Sequence, residues 1–423
     1  MYDFMPERIG QYSHLEVKPK THVMEKLLHY AWKHRLYPLA SLTTTDGRTV
    51  EVIDVGIYNR THAGPDFFNA KVKVNGMEWV GNVEMHIKAS DWYRHRHDSD
   101  KAYDNVILHV VCLDDMEVMT SSGRIPAQMV LDIPDYLKAD YDHLLHTDKY
   151  PPCYERIPQL PPIKTHSWIS ALQIERLEQK TEAIMQHLEL NARSWEKTYF
   201  QTLARNFGFG INGEAFETWA SLVDLTRAGH HRNELFQLEA MFIGQAGLLD
   251  RVEERYAKEY AYLKHKFGLQ EMDASLWRYL RTRPQNFPHV RLMQLAKMFH
   301  EQRTGLSRLL DCEDVKAVGK LLGMKGAKLS LVVINTVIPI LFAYGRTKSK
   351  ENLCDRSFCF LEEIDAEDNN IVRMWRECGL EVKTAGDSQA LIQLKKEYCD
   401  KKECLRCRFG FEYLSLRKNG ALG

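Results

Sequence analysis

Gly64-Pro65-Asp66-Phe67, followed after one hairpin by Gly81-Asn82-Val83-Glu84-Met85-His86-Ile87-Lys88, is the stretch on which the reading of this chain turns. A β-strand sends successive side chains to opposite faces. Glu84, His86 and Lys88 therefore project one way, and Val83, Met85 and Ile87 the other. A hairpin that brings Asp66 alongside gathers two carboxylates, an imidazole and an amine in a small volume. That set suits a divalent metal and a phosphate ester. The same alternation also fits the wet face of an antiparallel sheet, which needs no function.

Working outward, Leu27, Leu28, Ala31, Trp32 and Leu36 recur at helical spacing over Glu25–Tyr37, and Pro38 ends the run. Thr45-Asp46-Gly47-Arg48 reads as a hairpin turn between Leu42–Thr44 and Val50–Tyr58, and Asn75-Gly76 as the turn into Glu78–Lys88. Val106–Leu113 is a further strand, so residues 24–150 read as an α+β domain with a mixed sheet, preceded by an extension over 1–23. Prolines 151, 152, 158, 161 and 162 mark a linker at 151–164. Beyond it, apolar pairs such as Trp168/Leu172 and Ile184/Leu188 predict an all-helical domain over 165–345. Similar patterns run through 195–207, 214–226, 233–263, 290–310 and 329–343. Residues 346–423 form a helical, cysteine-bearing tail.

The chain has 423 residues, 44% hydrophobic and 27% charged, as expected of a globular protein of two or three domains. Lys+Arg and Asp+Glu stand at 57 each, so a nucleic-acid surface must be a local patch rather than a global field. Met1–Lys20 has no apolar signal core, and Leu329–Tyr344 is shorter than the ~18–20 residues a span needs. The expectation is a cytoplasmic protein with no membrane segment. In a reducing compartment, clustered cysteines point to metal before disulfide.

The helix–strand–hairpin–strand order, with Pro65-Asp66 before the hairpin and an acid and a lysine on its second strand, resembles the PD-(D/E)XK nuclease core. The chain is also similar, over nearly its full length, to an uncharacterised bacterial family, a domain of unknown function. Ala63-Gly64-Pro65-Asp66-Phe67, Gly81–Lys88 and Arg283-Pro284-Gln285-Asn286-Phe287-Pro288 carry that likeness. The nuclease resemblance implies Asp66 as the first metal ligand and Lys88 as the catalytic lysine. The pattern's second acid falls where this chain has His86, with Glu84 about 6.6–6.8 Å further back along the strand. Either Glu84 replaces that acid by a shift, or His86 is itself a ligand. The expected site is therefore Asp66, Glu84 and Lys88 for catalysis, with Asp66, Glu84 and His86 on Mg²⁺ or Mn²⁺. The expected function is metal-dependent phosphodiester hydrolysis of DNA or RNA. The alternative is a non-catalytic nucleic-acid- or protein-binding module on a degenerate nuclease fold, and a third reading is a scaffold with a zinc-fastened tail.

Other segments carry further expectations. In Asp91-Trp92-Tyr93-Arg94-His95-Arg96-His97-Asp98, the histidines suit a metal and Arg94 and Arg96 suit phosphates, while a polar surface loop anchored by Trp92 explains the same residues. His109, in an apolar strand, reads as a satisfied core histidine. Arg281, Arg283 and Arg291, interleaved with Trp277, Tyr279 and Phe287, form a candidate nucleic-acid surface. Cys399-x₄-Cys404-x₂-Cys407, with Cys354 or Cys359, offers thiolates for structural Zn²⁺ or an iron–sulfur cluster. Gly208-x-Gly210-x-x-Gly213 follows a helix instead of a strand, so it reads as a turn and not as a dinucleotide fingerprint.

Overall fold

The left-handed turn at Arg35 (φ 50°), and not Pro38, terminates the first helix, α1 (Lys20–His34), whose Leu27, Leu28, Ala31 and Trp32 are buried. The computed structural model describes residues 20–38, 42–60, 62–147, 150–208, 210–280 and 282–420. Most of the extension expected over 1–23, and Arg281, lie outside them.

Six strands follow: β1 (Val50–Asp54), β2 (Ile57–Tyr58), β3 (Phe67–Val74), β4 (Met77–Lys88), β5 (Val106–Leu113) and β6 (Ala127–Val130). They form one mixed sheet in the order β1-β3-β4-β5-β6, with β2 beside β3. Asn75 (φ 53°) and Gly76 (φ 80°) both take positive φ. A two-residue turn whose twist matches the flanking strands requires this. It sets the antiparallel register of β3 on β4, from Val74↔Met77 to Phe67↔Val83. A short helix, α2 (Asp91–Arg94), and two 3₁₀ turns then carry the chain to β5, which runs parallel to β4.

β4 is the central strand at the site and is buried on both faces. Val83 and Met85 are at most 1% exposed, yet Glu84 is only 5% exposed and His86 1%. The wet-face explanation fails here, because these polar groups are enclosed and need partners.

Gly81 is where β5 closes on β4. A Cβ built there would lie 2.4 Å from Ile107 Cγ2 and 2.7 Å from the Asn105 carbonyl oxygen. That carbonyl accepts the Asn82 amide. Gly81→Ala is expected to destabilise the protein by about 1–3 kcal/mol through overpacking, read as a lower midpoint in urea unfolding. An unchanged midpoint would mean that β5 can move aside.

The chain divides into two compact units: the chain up to Arg156 together with that from Lys401, and Ile157–Asp400. The division falls inside the proline-rich stretch. The segment read as a tail is shared, with residues up to Asp400 in the helical unit and the remainder in the sheet unit.

The second unit is helical, beginning with Pro162–Leu190 and Trp195–Phe207. Gly208 caps the latter, so the glycine triplet is a helix end and turn. The pattern expected to run through 233–263 breaks into Leu235–Gln245 and Glu254–Phe267, with Gly247 at φ 70° between them and its neighbour Ala246 accepting the Trp277 indole N–H at 2.8 Å.

The apolar run around 329–344 continues into a longer helix, Gly326–Thr347, which is long and apolar enough to cross a membrane by length and composition. However, 61% of its most apolar window is buried in protein. Val333–Val337 within it is a π turn. Pro339 has no N–H to give the Asn335 carbonyl, and the Asn206 amide donates to that oxygen instead at 3.0 Å.

Candidate metal centre

The site is built where β4 ends and α2 begins. Asp91 anchors the turn by accepting from the Lys88 amide at 3.4 Å and pairing with Arg94 at 3.1 Å. The Trp92 indole N–H donates to the Met119 carbonyl at 3.0 Å, and its ring is fully buried. Arg96 then takes the left-handed conformation (φ 63°, ψ 31°) between α2 and the 3₁₀ turn His97–Ser99. This reversal folds the loop back on β4, so that the His95 and His97 rings lie 5.0 and 5.3 Å from that of His86. His97 stacks on Tyr103 at 3.7 Å. The segment expected as a Trp92-anchored surface loop keeps its anchor but delivers His97 to the interior, at 7% exposure.

Three ring nitrogens, one each from His86, His95 and His97, lie within 4.8 Å of one another. His86 Nε2 is 3.1 Å from His95 Nδ1 and 3.6 Å from Glu84 Oε1, and His97 Nε2 is 3.2 Å from the same oxygen. Two nitrogens bound to one ion at about 2.0–2.1 Å stand roughly 2.9–3.4 Å apart, so these separations are near those of a ligand set. Among the described residues His97 Nε2 is buried and makes no hydrogen bond, although Glu84 Oε1 is 3.2 Å away. An orphaned, inward-facing lone pair or N–H of this kind calls for a partner. His95 is exposed, so the cluster is open on one side.

A chain of hydrogen bonds fixes which nitrogen of His86 is available. Gln128 Nε2 donates to Asp114 Oδ1 at 2.6 Å and to the Met116 carbonyl at 3.0 Å, which leaves Gln128 Oε1 as an acceptor. His109 Nδ1 lies 2.9 Å from that oxygen and must donate to it. Its Nε2 is then the lone pair that accepts from His86 Nδ1 at 2.9 Å. His86 Nε2 is left as a lone pair facing His95, His97 and Glu84. Outer partners that set the tautomer of a ligand in this way are typical of metal sites. Burial, then the neighbouring imidazoles, push the His86 pKa down to about 2. Burial likewise holds His97 and His109 down to about 4. All three rings are neutral at physiological pH, the form that ligates metal.

The acid pair sits on the other side of Glu84. Glu84 Oε2 accepts the Asp66 amide at 3.0 Å, and Asp66 Oδ2 accepts the Met85 amide at 3.0 Å. These crossed bonds tie the residue preceding β3 to β4 where the register between them shifts. His29 of α1 places Nε2 3.2 Å from Asp66 Oδ2. Burial works against a charge on His29, but the Asp66 carboxylate outweighs it and the pKa is raised. Burial, followed by the Asp66 charge, holds the Glu84 carboxyl well above the usual carboxylate range.

The structure thus brings Asp66, Glu84 and His86 together and adds His95, His97, His109, His29 and Gln128. Lys88 stands apart, exposed at the end of β4, with no hydrogen bond or ion pair from its amine to the acids or histidines. Arg94 and Arg96 are exposed beside the cluster, Arg283 is exposed in the helical unit, and Arg291 is buried there. Cys354 and Cys359 share the helix Glu351–Glu363 but not a face, Cys354 being half-buried and Cys359 exposed. Cys404 and Cys407 are buried around a 3₁₀ turn, and burial pushes the Cys404 thiol up to about 12.

The fold and site define a two-unit chain, a mixed-sheet unit bearing a buried histidine–carboxylate cluster and a helical unit. The chain belongs to the family described as "Protein of unknown function (DUF2851)", which it matches over residues 25–328 and 324–370. No curated protein and no solved structure matched it in comparison.

Proposed function

We propose that the sheet unit is a metal-dependent phosphodiesterase acting on nucleic acid, with His86, His95, His97 and Glu84 as the ligands of its ion. The observation that carries this is the Gln128–His109–His86 chain, which presents the His86 Nε2 lone pair to two further histidines and a carboxylate. Nitrogen-rich donors favour Mn²⁺ or Zn²⁺ over Mg²⁺, which prefers oxygen. A bound ion lowers the pKa of its water and polarises a phosphoryl oxygen. Asp66, beside His29 and tied to Glu84 through its amide, is the base assigned to that water. Lys88, exposed two residues beyond His86 on the same strand face, is the side chain assigned to the substrate phosphate.

The phosphate ester as substrate rests on the likeness to the PD-(D/E)XK core. The helix–strand–hairpin–strand order, with Asp66 at the head of the hairpin, supports it. The separation of Lys88 from the acids favours the second reading, a binding module that does not cut.

Labelled single- and double-stranded DNA and RNA, incubated with Mn²⁺, Zn²⁺ or Mg²⁺, test the proposal. Wild type should cut with Mn²⁺ or Zn²⁺, and Asp66→Ala and His97→Gln should each lose at least about 100-fold in rate, the scale of a lost general base or metal ligand. Binding without cutting by clean wild-type protein would move the reading to the non-catalytic module.

A further inference from the structure

The chain carries no net charge, so an anionic polymer must be met by a local patch, and the helical unit contains one. Two cavities of about 390 and 350 Å³ adjoin there, with Phe207 and Lys328 lining both. Arg291, Lys297, Arg303 and Lys325 line the first, and Arg283 lines the second. Among the described residues the only carboxylate lining either cavity is Glu301, which already pairs with Arg303 at 2.8 Å.

Among the described residues Arg283, Lys297, Lys325 and Lys328 have no carboxylate within 4.0 Å. Surface lysines and arginines elsewhere in this unit are commonly paired, as Lys258 is with Glu254 and Lys264 with Glu271. The local backbone keeps this charge crowded. Gly323 takes φ 67°, a conformation that favours glycine, and the Arg303 guanidinium lies against it, Nη1 being 2.3 Å from where a Cβ would stand. Arg291, 5% exposed, is fixed at the cavity wall by the side-chain oxygens of Gln294 at 2.8 Å and Asn286 at 2.5 Å. Crowded like charges repel one another, and neutralisation by successive phosphates relieves that repulsion with release of counterions.

We infer that these two joined cavities bind the sugar–phosphate backbone of a nucleic-acid strand, with Lys328 between two phosphate positions and Lys325 and Arg283 on either side. Two cavities in series suit consecutive phosphates better than one small anion does. The inference rests on the phosphodiesterase reading for the class of ligand, and it assigns backbone contact to the helical unit.

The test is fluorescence anisotropy of labelled single-stranded DNA and RNA 12-mers on the full chain, with chelator present so that binding is read apart from cleavage. Wild type should bind with strong salt dependence. Lys325→Gln/Lys328→Gln should weaken binding at least about tenfold near 0.1 M salt. It should also flatten the log–log salt slope by about 1.4, from ~0.7 for each lost phosphate contact. Arg283→Gln should flatten it by about 0.7. A control, Lys266→Gln/Lys348→Gln, lies outside both cavities and should leave the slope unchanged. Equal melting curves establish that the variants fold.

Absent binding by wild type, an unchanged slope in the double variant, or equal competition by polyglutamate at the same charge would overturn the assignment. Intact metal-dependent cleavage with an unchanged slope would overturn this site alone. Salt-sensitive binding lost in the variants, in a protein that cuts nothing, would leave this site standing and overturn the hydrolysis.

Discussion

Replacing His86 with glutamine is expected to weaken Mn²⁺ or Zn²⁺ binding by more than about 100-fold, since loss of a ligand exceeds the 10–100-fold cost of losing an outer partner. His86 is the junction of the cluster. Its Nε2 is 3.1 Å from His95 Nδ1 and 3.6 Å from Glu84 Oε1, and its Nδ1 is held by His109. Glutamine is chosen over alanine because a buried cavity at a 1%-exposed position would confound stability with affinity. Isothermal titration calorimetry reads the affinity and also the protons exchanged. His86, with its pKa down at about 2, and His97, at about 4, carry no proton to expel near neutrality. The Glu84 carboxyl is held well above its usual range by burial and the Asp66 charge, so below that raised pKa it is protonated without metal and must lose the proton to a cation. Metal affinity of wild type should therefore fall as the pH drops through the raised Glu84 pKa. Glu84→Gln should remove that part of the pH dependence as well as part of the affinity. Unaltered affinity in His86→Gln would sink the metal centre.

The second large effect lies at a residue that touches no ion. Gln128→Leu should reduce metal affinity by about 10–100-fold while leaving every ligand in place. Without the Gln128 oxygen, His109 no longer has to carry its proton on Nδ1, and His86 no longer has to keep its own on Nδ1. A fraction of the protein then presents His86 Nε2–H to the ion, the wrong tautomer. Leucine preserves volume at this 8%-exposed position, although Asp114 loses a donor. Long-range ¹⁵N correlation spectra of the imidazoles separate this effect from simple loosening. In wild type the His86 proton should be on Nδ1, and in Gln128→Leu it should be shared. A variant that binds metal as wild type does, or keeps a single His86 tautomer, would show that the chain of bonds is only structural.

Much of the frame was legible because local chemistry sets it. Asn75-Gly76 demands a tight hairpin, and the prolines between 151 and 162 contain the division between the units; the first helix was legible too, but it ends at His34 on the left-handed Arg35 and not at Tyr37 before Pro38. The alternation in Glu84–Lys88 correctly placed acid and imidazole on one face of β4. It did not say whether that face is wet, since period-2 patterning is the same for a solvated face and for one roofed by a loop. The break between Gln245 and Glu254 was also invisible, because apolar spacing persists across a turn whose cause is Gly247 and the indole of Trp277.

The site itself divides in the same way. His95 and His97 were legible as candidates, and His109 read as a satisfied core histidine, which it is, fully buried with both ring nitrogens bonded; its link to His86, and the parts of His29 and Gln128, gave no signal. The family, the order of elements and the polar face of β4 follow from the residues in order, because turns, caps and periodicity act over a few residues. That His97 is buried, that Lys88 stands apart, and that Gln128 sets the tautomer of His86 come from long-range packing alone. Those facts depend on a left-handed residue at Arg96 and on the pairing of β4 with β5 and of β5 with β6. Such contacts join residues distant along the chain, and spacing within one segment does not encode them.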